Sequence, residues 1–363
     1  PWIRLFFVSG FWTSNWTQKL RISCYNCDPI RTQAFYLTMT AKPSPLEPCG
    51  GIRFNPFDGQ YVFDGTRCLI SGQPIDPATE LRPLFPDRWV EELGLAHHFL
   101  TLPTGQKIAY PTLRIPVHQD CWNGGMDDVA RKCANLILVG SDTLGWTNTE
   151  RIYQWLCWLF MGVLYTEMQS VQGQDQIHPV WQDPSFLSRY RMIHLSLQGA
   201  VYPVEYLGYD PGSVFILQMK SNPCPFDFKT SSNTQSVSLQ VGGSAILASL
   251  GDNGAHVAFF EDEFLPLRKI LLEPVQVDEL FARMCYRNHL LNPVFEYGIS
   301  FADQEDPRTL VQMKIPPQHA NEEAFQPWSD AEYVQVLDLY LRRHGHSPMQ
   351  SWQESGEILT FIE

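Results

Sequence analysis

The sequence predicts an α+β protein, with an antiparallel sheet packed on a central apolar helix and further helices towards the C-terminus. Residues 188–260 largely alternate apolar and polar side chains, which is typical of strands with one buried face. Residues 155–165 are apolar without interruption, which is typical of a helix buried on all sides. The chain has 363 residues, 44% of them hydrophobic and 18% charged, and this composition excludes a disordered tail and a coiled coil.

Four helices are predicted from apolar periodicity and from residues that start or stop helices. They cover residues 127–138, 150–168, 277–291 and 329–344. Gly140 follows the first helix and Gly345 follows the last, and glycine is common just beyond a helix C-terminus. Ser329 and Glu332 have the spacing of a capping box, in which each side chain bonds the backbone N–H of the other residue. We therefore expect the last helix to begin at Ser329.

The predicted strands lie between residues 188 and 260, where the hydrophobic period changes to two. They cover residues 193–197, 214–219, 237–241, 245–250 and 256–260. The last two runs are separated by Asn253-Gly254, and an Asn-Gly pair between apolar runs is the strongest short-range indication of a β-hairpin. We therefore expect an antiparallel hairpin that turns at these two residues.

Composition and breaker residues divide the chain into four predicted parts. They are a non-native or disordered segment over 1–38, a small module over 39–140, an α+β core domain over 141–300 and a helical extension over 301–363. The proline-punctuated residues 302–328 are interpreted as a linker. Residues 1–38 contain only one acidic residue, Asp28, and we expect them to be upstream sequence translated from a wrong start before Met39. The rival interpretation is a degenerate export signal, and peptide mapping of the native N-terminus distinguishes the two.

The net charge, the apolar runs and the cysteine spacing limit the classes of function that the chain can have. The formal charge of −13 at pH 7 disfavours broad electrostatic binding of nucleic acid, although it leaves room for a local basic patch. No apolar run approaches the ~18 residues of a membrane span, so no membrane partner is expected. The nine cysteines are irregularly spaced, which favours buried thiols in a reducing compartment and hence a cytoplasmic protein. Cys24 and Cys27 form a CxxC pair with no second pair to complete a zinc site.

Two short stretches carry the candidate functional residues. The first is Cys68-Leu-Ile-Ser71, which has the form of a zinc knuckle with serine in the second ligand position. The second is His118-Gln-Asp-Cys121, which precedes the first predicted helix. Structural zinc requires four ligands in near-tetrahedral geometry. Cys68, His118 and Cys121 are three candidate ligands, and Cys49 or Ser71 is the candidate for the fourth.

Residues 66–138 resemble the HNH, or treble-clef, family of small metal-binding nuclease modules. The whole chain is similar in element order to large uncharacterised bacterial proteins that carry an eroded module of this kind. The family has a CxxC knuckle, an acidic residue and a histidine, then Phe/Ile-Pro-x-Trp, and later CxxCN leading into a helix. Alignment on Phe85-Pro86 places the family's catalytic histidine on Pro83 and its acidic neighbour on Arg82. The resemblance therefore implies a degenerate treble-clef module that has lost its catalytic position.

HNH chemistry needs an imidazole base to activate water and a divalent ion at the scissile phosphate. Pro83 can neither activate water nor bind a divalent ion. The candidates to replace the lost histidine are His97, His98 and His118. The leading hypothesis is a non-catalytic intracellular scaffold or accessory protein with an unidentified protein partner. The alternative is a divergent metal-dependent HNH-type nuclease that acts on nucleic acid.

The two hypotheses predict different surroundings for the candidate residues. A nuclease should place one of the three histidines beside a carboxylate in an open, positive cleft. A binding protein should keep Cys68 and Cys121 buried or far apart, and it should expose an apolar patch for its partner. A third hypothesis, thiol chemistry at Cys24 and Cys27, depends on residues 1–38 being native.

Overall fold

A computed structural model of the chain describes residues 51–58, 61–102, 105–140, 149–171, 184–220, 226–292, 295–304, 306–315, 323–345, 358 and 360–362. All of them belong to one compact unit, Pro48–Glu363. The sequence predictions for residues 1–38, for the Cys24 and Cys27 pair and for Cys49 lie outside the described residues. The described part combines helices with several antiparallel strand pairs, which confirms the α+β class.

All four helices predicted from the sequence are present, as α3, α4, α8 and α9. The α-helices are, in chain order, α1 Asp87–Glu92, α2 Gln119–Cys121, α3 Asp127–Val139, α4 Thr149–Val171, α5 Pro184–Ser188, α6 Arg191–Gln198, α7 Ala255–Leu267, α8 Pro274–Leu290 and α9 Asp330–Leu341. A π-helical turn, Trp122–Met126, joins α2 to α3. Among the described residues, no helix has the length and apolarity that a membrane crossing needs.

The largest sheet has the strand order β6-β9-β8-β7, and each neighbouring pair is antiparallel. The β-strands are β1 Leu81–Pro83, β2 Phe99–Thr101, β3 Lys107–Ala109, β4 Arg114–Pro116, β5 Val204–Leu207, β6 Ser213–Gln218, β7 Phe226–Ser231, β8 Ser236–Val241, β9 Ser244–Ser249, β10 Glu296–Ser300 and β11 Thr309–Lys314. This sheet confirms the predicted strands 214–219, 237–241 and 245–250. A second sheet, β10-β11-β5, pairs β11 antiparallel with β10 and parallel with β5.

Helices cover both faces of the largest sheet. On one face, Leu239 and Ile246 share a hydrophobic core with α4 side chains such as Trp158. On the other face, Phe215 and Leu247 belong to a second core, which they share with residues of α7 and α8. Because both faces are covered, β8 and β9 are buried along their whole length.

The apolar helix α4 lies at the centre of the first core, as its sequence predicts. Every residue from 155 to 165 is buried. The Trp89 and Trp155 rings meet edge to face, with 6.0 Å between their centres. The Trp158 indole N–H donates to the Leu84 carbonyl at 3.1 Å. A Cβ atom at Gly162 would lie 2.3 Å from the Leu84 side chain, so glycine permits the close approach of the β1 region to α4.

Residues 193–197 form part of α6 and not a strand, so this prediction is wrong. Ile193 and Leu197 are buried as expected, but they lie four residues apart on one helical face. His194 and Gln198 are also buried, because α6 is enclosed by the protein. Polar residues buried among apolar ones produce the alternation that indicates a strand in the sequence.

Asn253-Gly254 does not turn a hairpin, so this prediction is wrong as well. Both residues have the positive φ values that such a turn uses, 53° and 76°. The chain then enters α7, because the Asp252 carboxylate accepts the backbone N–H of His256 at 2.8 Å and so supplies an acceptor to the first turn. Residues 256–260 accordingly lie in a helix.

Two further predictions near the C-terminus need correction. The segment interpreted as a linker, 302–328, contains β11, which pairs on both sides within a sheet. The Ser329 side chain makes no capping bond to α9. The Tyr286 hydroxyl replaces the Glu332 side chain as the acceptor of the Ser329 N–H, at 3.1 Å, and it donates to the Glu332 carboxylate at 3.0 Å.

Candidate functional site

The first candidate stretch folds as a tight turn with the Cys68 side chain buried in the protein. The Cys68 N–H donates to the Gln73 carbonyl at 2.8 Å, and the Gly72 N–H donates to the Cys68 carbonyl at 2.9 Å. Within the turn, the Ser71 N–H donates to Cys68 Sγ at 3.4 Å. Gly72 has a φ of 71°, and a Cβ atom there would lie 2.5 Å from the Phe54 ring. The turn therefore needs glycine at this position.

Backbone pairing holds the second candidate stretch beside this turn. β1 pairs antiparallel with β4, and β4 is followed within a few residues by α2. The Leu69 N–H donates to the Pro116 carbonyl at 2.8 Å, which attaches the turn to the end of β4. α2 ends at Cys121, whose side chain is buried. The order of turn, strand pair and helix thus brings Cys68 and Cys121 together.

Cys68 and Cys121 are neighbouring buried cysteines with no disulfide between them, and each shifts the pKa of the other. Burial raises the pKa of Cys68, but hydrogen bonds from Cys121, from Ser71 and from backbone N–H groups outweigh burial and hold this pKa below its usual range. The pKa of Cys121 is raised, first because its thiol donates to the Cys68 sulfur and then because it is buried. The Tyr202 hydroxyl lies 3.8 Å from Cys121 Sγ.

His118 uses its ring to cap a helix. Its Nδ1 atom accepts the backbone N–H of Asp120 at 3.2 Å at the start of α2. The bond from His118 to Cys68 comes from the His118 backbone. The Asp120 carboxylate lies 3.6 Å from the same ring nitrogen. In the part of the chain that the structure describes, no three His, Cys, Asp or Glu side chains are grouped so that they could hold a metal ion.

His97 and His98 lie on the surface between α1 and β2, and both side chains are exposed. The His98 backbone N–H donates to the Leu95 carbonyl at 3.1 Å. Neither histidine is among the groups that shift the pKa of Cys68 or Cys121. The ion pairs that the described histidines make with carboxylates involve other positions. The structure therefore brings neither of these two imidazoles to the sulfur pair.

A polar cluster surrounds Arg82 and Pro83, the two positions that the sequence alignment assigns to the family's catalytic pair. Pro83 and Arg82 lie in β1 and pair with β4. The Arg82 guanidinium donates to the Gln119 side chain and lies 5.7 Å from the Trp122 ring centre. The Glu80 carboxylate accepts the Gln119 N–H at 2.7 Å. The cluster holds α2 against β1, and it has a cation where the family has an acidic residue.

Two residues of α6 hold the Cys68 turn through its backbone. His194 Nε2–H donates to the Leu69 carbonyl at 2.7 Å, and Gln198 Nε2 donates to the Ile70 carbonyl at 2.8 Å. Burial lowers the pKa of His194 to about 4, so its ring is neutral at physiological pH. Neither residue is identified from the sequence, because the strand prediction hides their spacing. Two polar residues four positions apart within an apolar run are the signal that points to them.

Comparison of the chain with protein-family models, curated proteins and solved structures finds no match. The resemblance to the HNH family therefore rests on residues 66–138 alone. The candidate residues amount to two neighbouring buried cysteines, one imidazole that caps a helix and two exposed imidazoles. Any function assigned to the chain has to be derived from these residues and from its surface.

Proposed function

We propose that this chain is a non-catalytic intracellular protein that acts by binding a protein partner, and that residues 66–138 serve as its structural framework. The observation that best supports this proposal is the contact between Cys68 and Cys121. The two sulfur atoms are neighbours inside the apolar core, where the Ser71 N–H donates to Cys68 Sγ and the Tyr202 hydroxyl lies 3.8 Å from Cys121 Sγ. A catalytic thiol or metal has to be reached by substrate, whereas this pair is closed to solvent.

Exposed apolar side chains on α7 and in the turn after it support a binding role. Phe259 has 62% of its surface exposed. The exposed fraction lies between 41% and 57% for Leu265, Ile270 and Leu271. These four residues lie close together in the sequence, and exposed large apolar side chains can mark a protein interface. The net charge of −13 further favours a partner with a basic surface.

Affinity purification from the native cells, followed by quantitative mass spectrometry, tests this binding role. Leu271→Asp places a charge on the exposed stretch. Val139→Asp changes an exposed apolar position on α3 and serves as the matched control. We expect at least one protein to be lost with Leu271→Asp and retained with Val139→Asp. Equal recovery of every protein by the two variants would contradict the assignment of this surface.

A cleavage assay tests the alternative, a metal-dependent nuclease. His118 is the candidate histidine that lies beside a carboxylate, 3.6 Å from Asp120. We expect the purified chain, supplied with Mg²⁺ or Mn²⁺, to leave supercoiled plasmid and single-stranded RNA uncut. Cleavage that is lost in His118→Ala and kept in the exposed-site control His97→Ala would establish the nuclease instead.

A further inference from the structure

Four aromatic side chains and one guanidinium form a chain of contacts between α7, α8 and the residues before α9. The centre of the Phe325 ring lies 5.7 Å from that of Phe259 and 5.2 Å from that of Phe260. The Arg287 guanidinium carbon lies 3.7 Å from the centre of the Phe260 ring and 6.0 Å from that of Trp328. Phe259 is 62% exposed and Trp328 is 41% exposed, so both ends of this aromatic strip reach solvent.

Backbone and side-chain hydrogen bonds fix the part of the aromatic strip that lies outside α7 and α8. The Gln326 N–H, next to Phe325, donates to the Leu290 carbonyl at the end of α8 at 2.7 Å. The Trp328 indole N–H donates to the Asp330 carboxylate at 2.8 Å. Because these groups are already held in place, a partner that binds the strip loses little free energy in ordering them.

The aromatic strip is carried by acidic parts of the chain. Helix α7 and residues 323–341 together contain seven Asp or Glu residues and no Lys or Arg. Glu263 is already paired with Arg283 and Arg287. Other carboxylates of these segments are exposed and make no ion pair within the described part of the chain, namely those of Asp262, Glu323, Asp330 and Glu332. The strip therefore has the charge to attract a cationic partner.

We propose that the aromatic strip binds an arginine-bearing segment of a protein partner. This inference rests on the proposed binding function and adds the chemistry of the partner. A guanidinium is planar, so it stacks on an aromatic face and pairs with a carboxylate at the same time, whereas an ammonium is a compact, strongly hydrated charge. Arg287 shows this arrangement within the strip, because it lies on the Phe260 ring and pairs with Glu263 at 2.7 Å.

Each exposed end of the aromatic strip offers a ring and a carboxylate to one guanidinium. Phe259 and Asp262 are three residues apart on α7, a spacing that places two side chains on the same side of a helix. At the other end, Trp328 lies beside Asp330, to which its indole N–H is bonded. An extended segment with at least two arginines therefore matches the strip.

Fluorescence anisotropy on the full chain at physiological salt tests this site, with labelled nona-arginine as the probe. Nona-lysine carries the same number of charges and serves as the counterpart that lacks guanidinium groups. We expect nona-arginine to bind about fivefold more tightly than nona-lysine, because guanidinium groups stack on the rings. Equal affinity would show attraction to the net charge of −13 alone, and it would overturn the proposal.

Variants at the two exposed rings locate the binding. Phe259→Leu and Trp328→Leu each keep an apolar side chain but remove a ring, so each should weaken nona-arginine binding about fivefold. Phe99→Leu is the matched control, because Phe99 is 57% exposed on β2 and lies outside the aromatic strip, and it should bind as the wild type does. Asp262→Asn should weaken binding about threefold, whereas Glu91→Gln, at an exposed acid of α1, should not.

The proposal is overturned if both ring variants keep the wild-type affinity, or if Phe99→Leu weakens binding as much as they do. It is also overturned if the chain binds single-stranded RNA more tightly than nona-arginine. The partner-binding role is tested separately by Leu271→Asp. If that variant loses a protein partner while the ring variants leave nona-arginine binding unchanged, the binding role stands and only the arginine assignment fails.

Discussion

The buried Cys121 thiol lies beside the Cys68 sulfur, and this contact joins the turn at residues 67–74 to helix α2. Both side chains belong to the same hydrophobic core as α4 and the largest sheet. In a zinc-binding module of the kind that residues 66–138 resemble, a metal ion would hold the turn and the helix together. In this chain, hydrogen bonds between side chains and backbone connect the same two elements.

Removal of the Cys121 thiol should destabilise the fold. Cys121→Ala leaves the Cys68 sulfur without its donor and creates a small cavity, so we expect the free energy of unfolding to fall by about 2 kcal/mol. Cys133→Ala is the matched control, because Cys133 is buried in the same core and bonds weakly to the Arg151 carbonyl at 3.6 Å. The control should lose about 1 kcal/mol. Urea denaturation at pH 7 measures both losses, and equal values would show that the thiol contact contributes nothing.

His194 should make the stability of the fold depend on pH. Its pKa is about 4 in the folded chain because the ring is buried, against 6.5 for a free histidine. The unfolded chain therefore binds a proton that the folded chain excludes. The stability from neutral His194 is complete above pH 6.5 and is lost as the pH falls towards 4. This difference corresponds to about 3 kcal/mol.

His194→Gln tests this pH dependence, because glutamine keeps a donor for the Leu69 carbonyl but does not titrate. We expect the melting temperature of the variant to fall less than that of the wild type between pH 7 and pH 4.5. His97→Gln, at an exposed histidine, should leave the wild-type profile unchanged. Parallel profiles for the wild type and His194→Gln would show that His194 does not cause the loss.

Glu167 should lower the stability of the fold at high pH, whereas His194 lowers it at low pH. It is 1% exposed on α4, and burial raises its pKa to about 7 from 4.5. The described residues supply no hydrogen-bond partner to its Oε1 atom. Because the folded pKa is raised, this acid costs stability progressively as the pH rises from 4.5 through 7. Glu167→Gln should therefore gain about 1–3 kcal/mol at pH 8 and nothing at pH 4, as measured by urea denaturation. The same gain at both pH values would contradict this explanation.

Asp278 joins the largest sheet to the C-terminal helices through one buried carboxylate. It accepts Lys229 Nζ at 2.6 Å, Gln240 Nε2 at 3.0 Å and His344 Nε2 at 2.9 Å, and it also pairs with Arg343. Burial raises the pKa of Asp278, but these donors outweigh burial and hold it below its usual range. The carboxylate is therefore ionised, and it supplies the negative charge with which the surrounding cations pair.

Asp278→Asn should be strongly destabilising, because it removes the buried negative charge that Lys229 and Arg343 share and leaves Asp227 as their one remaining common carboxylate. We expect a loss of about 3–5 kcal/mol in the free energy of unfolding. Asp128→Asn is the matched control, since Asp128 makes only half-exposed ion pairs on α3, such as that with Lys132 at 2.8 Å. Its loss should stay below about 1 kcal/mol. A loss of similar size in both variants, measured by chemical denaturation, would contradict the central role of Asp278.

The elements that the sequence predicts correctly are those whose environment matches their local pattern. The uninterrupted apolar run of α4 indicates burial on all sides, and α4 is buried on all sides. The end signal at Gly140 also corresponds to the observed end of α3. The failures have tertiary causes. α6 is enclosed by protein, so its buried polar residues imitate a strand. The Asp252 carboxylate supplies an acceptor to the first turn of the helix that begins directly after Asn253-Gly254.

Short motifs point to Cys68 and Cys121 but not to the groups that surround them. Cys68 and Cys121 are identified from short motifs, and the structure places them in contact. Their contact depends on the pairing of β1 with β4, which local sequence does not specify. The roles of Tyr202 and His194 depend on α6 packing against the turn, and no motif marks either residue.

The central claim is that hydrogen bonds, and not a metal ion, hold the Cys68 turn to α2. The metal content of the purified chain tests this claim most directly. Elemental mass spectrometry should be carried out on the chain and on Cys121→Ser, both purified without chelator or affinity tag. We predict far less than one zinc per chain in the wild type and a melting temperature that EDTA does not change. About one zinc per chain that is lost in Cys121→Ser would contradict the claim and establish the pair as part of a metal site.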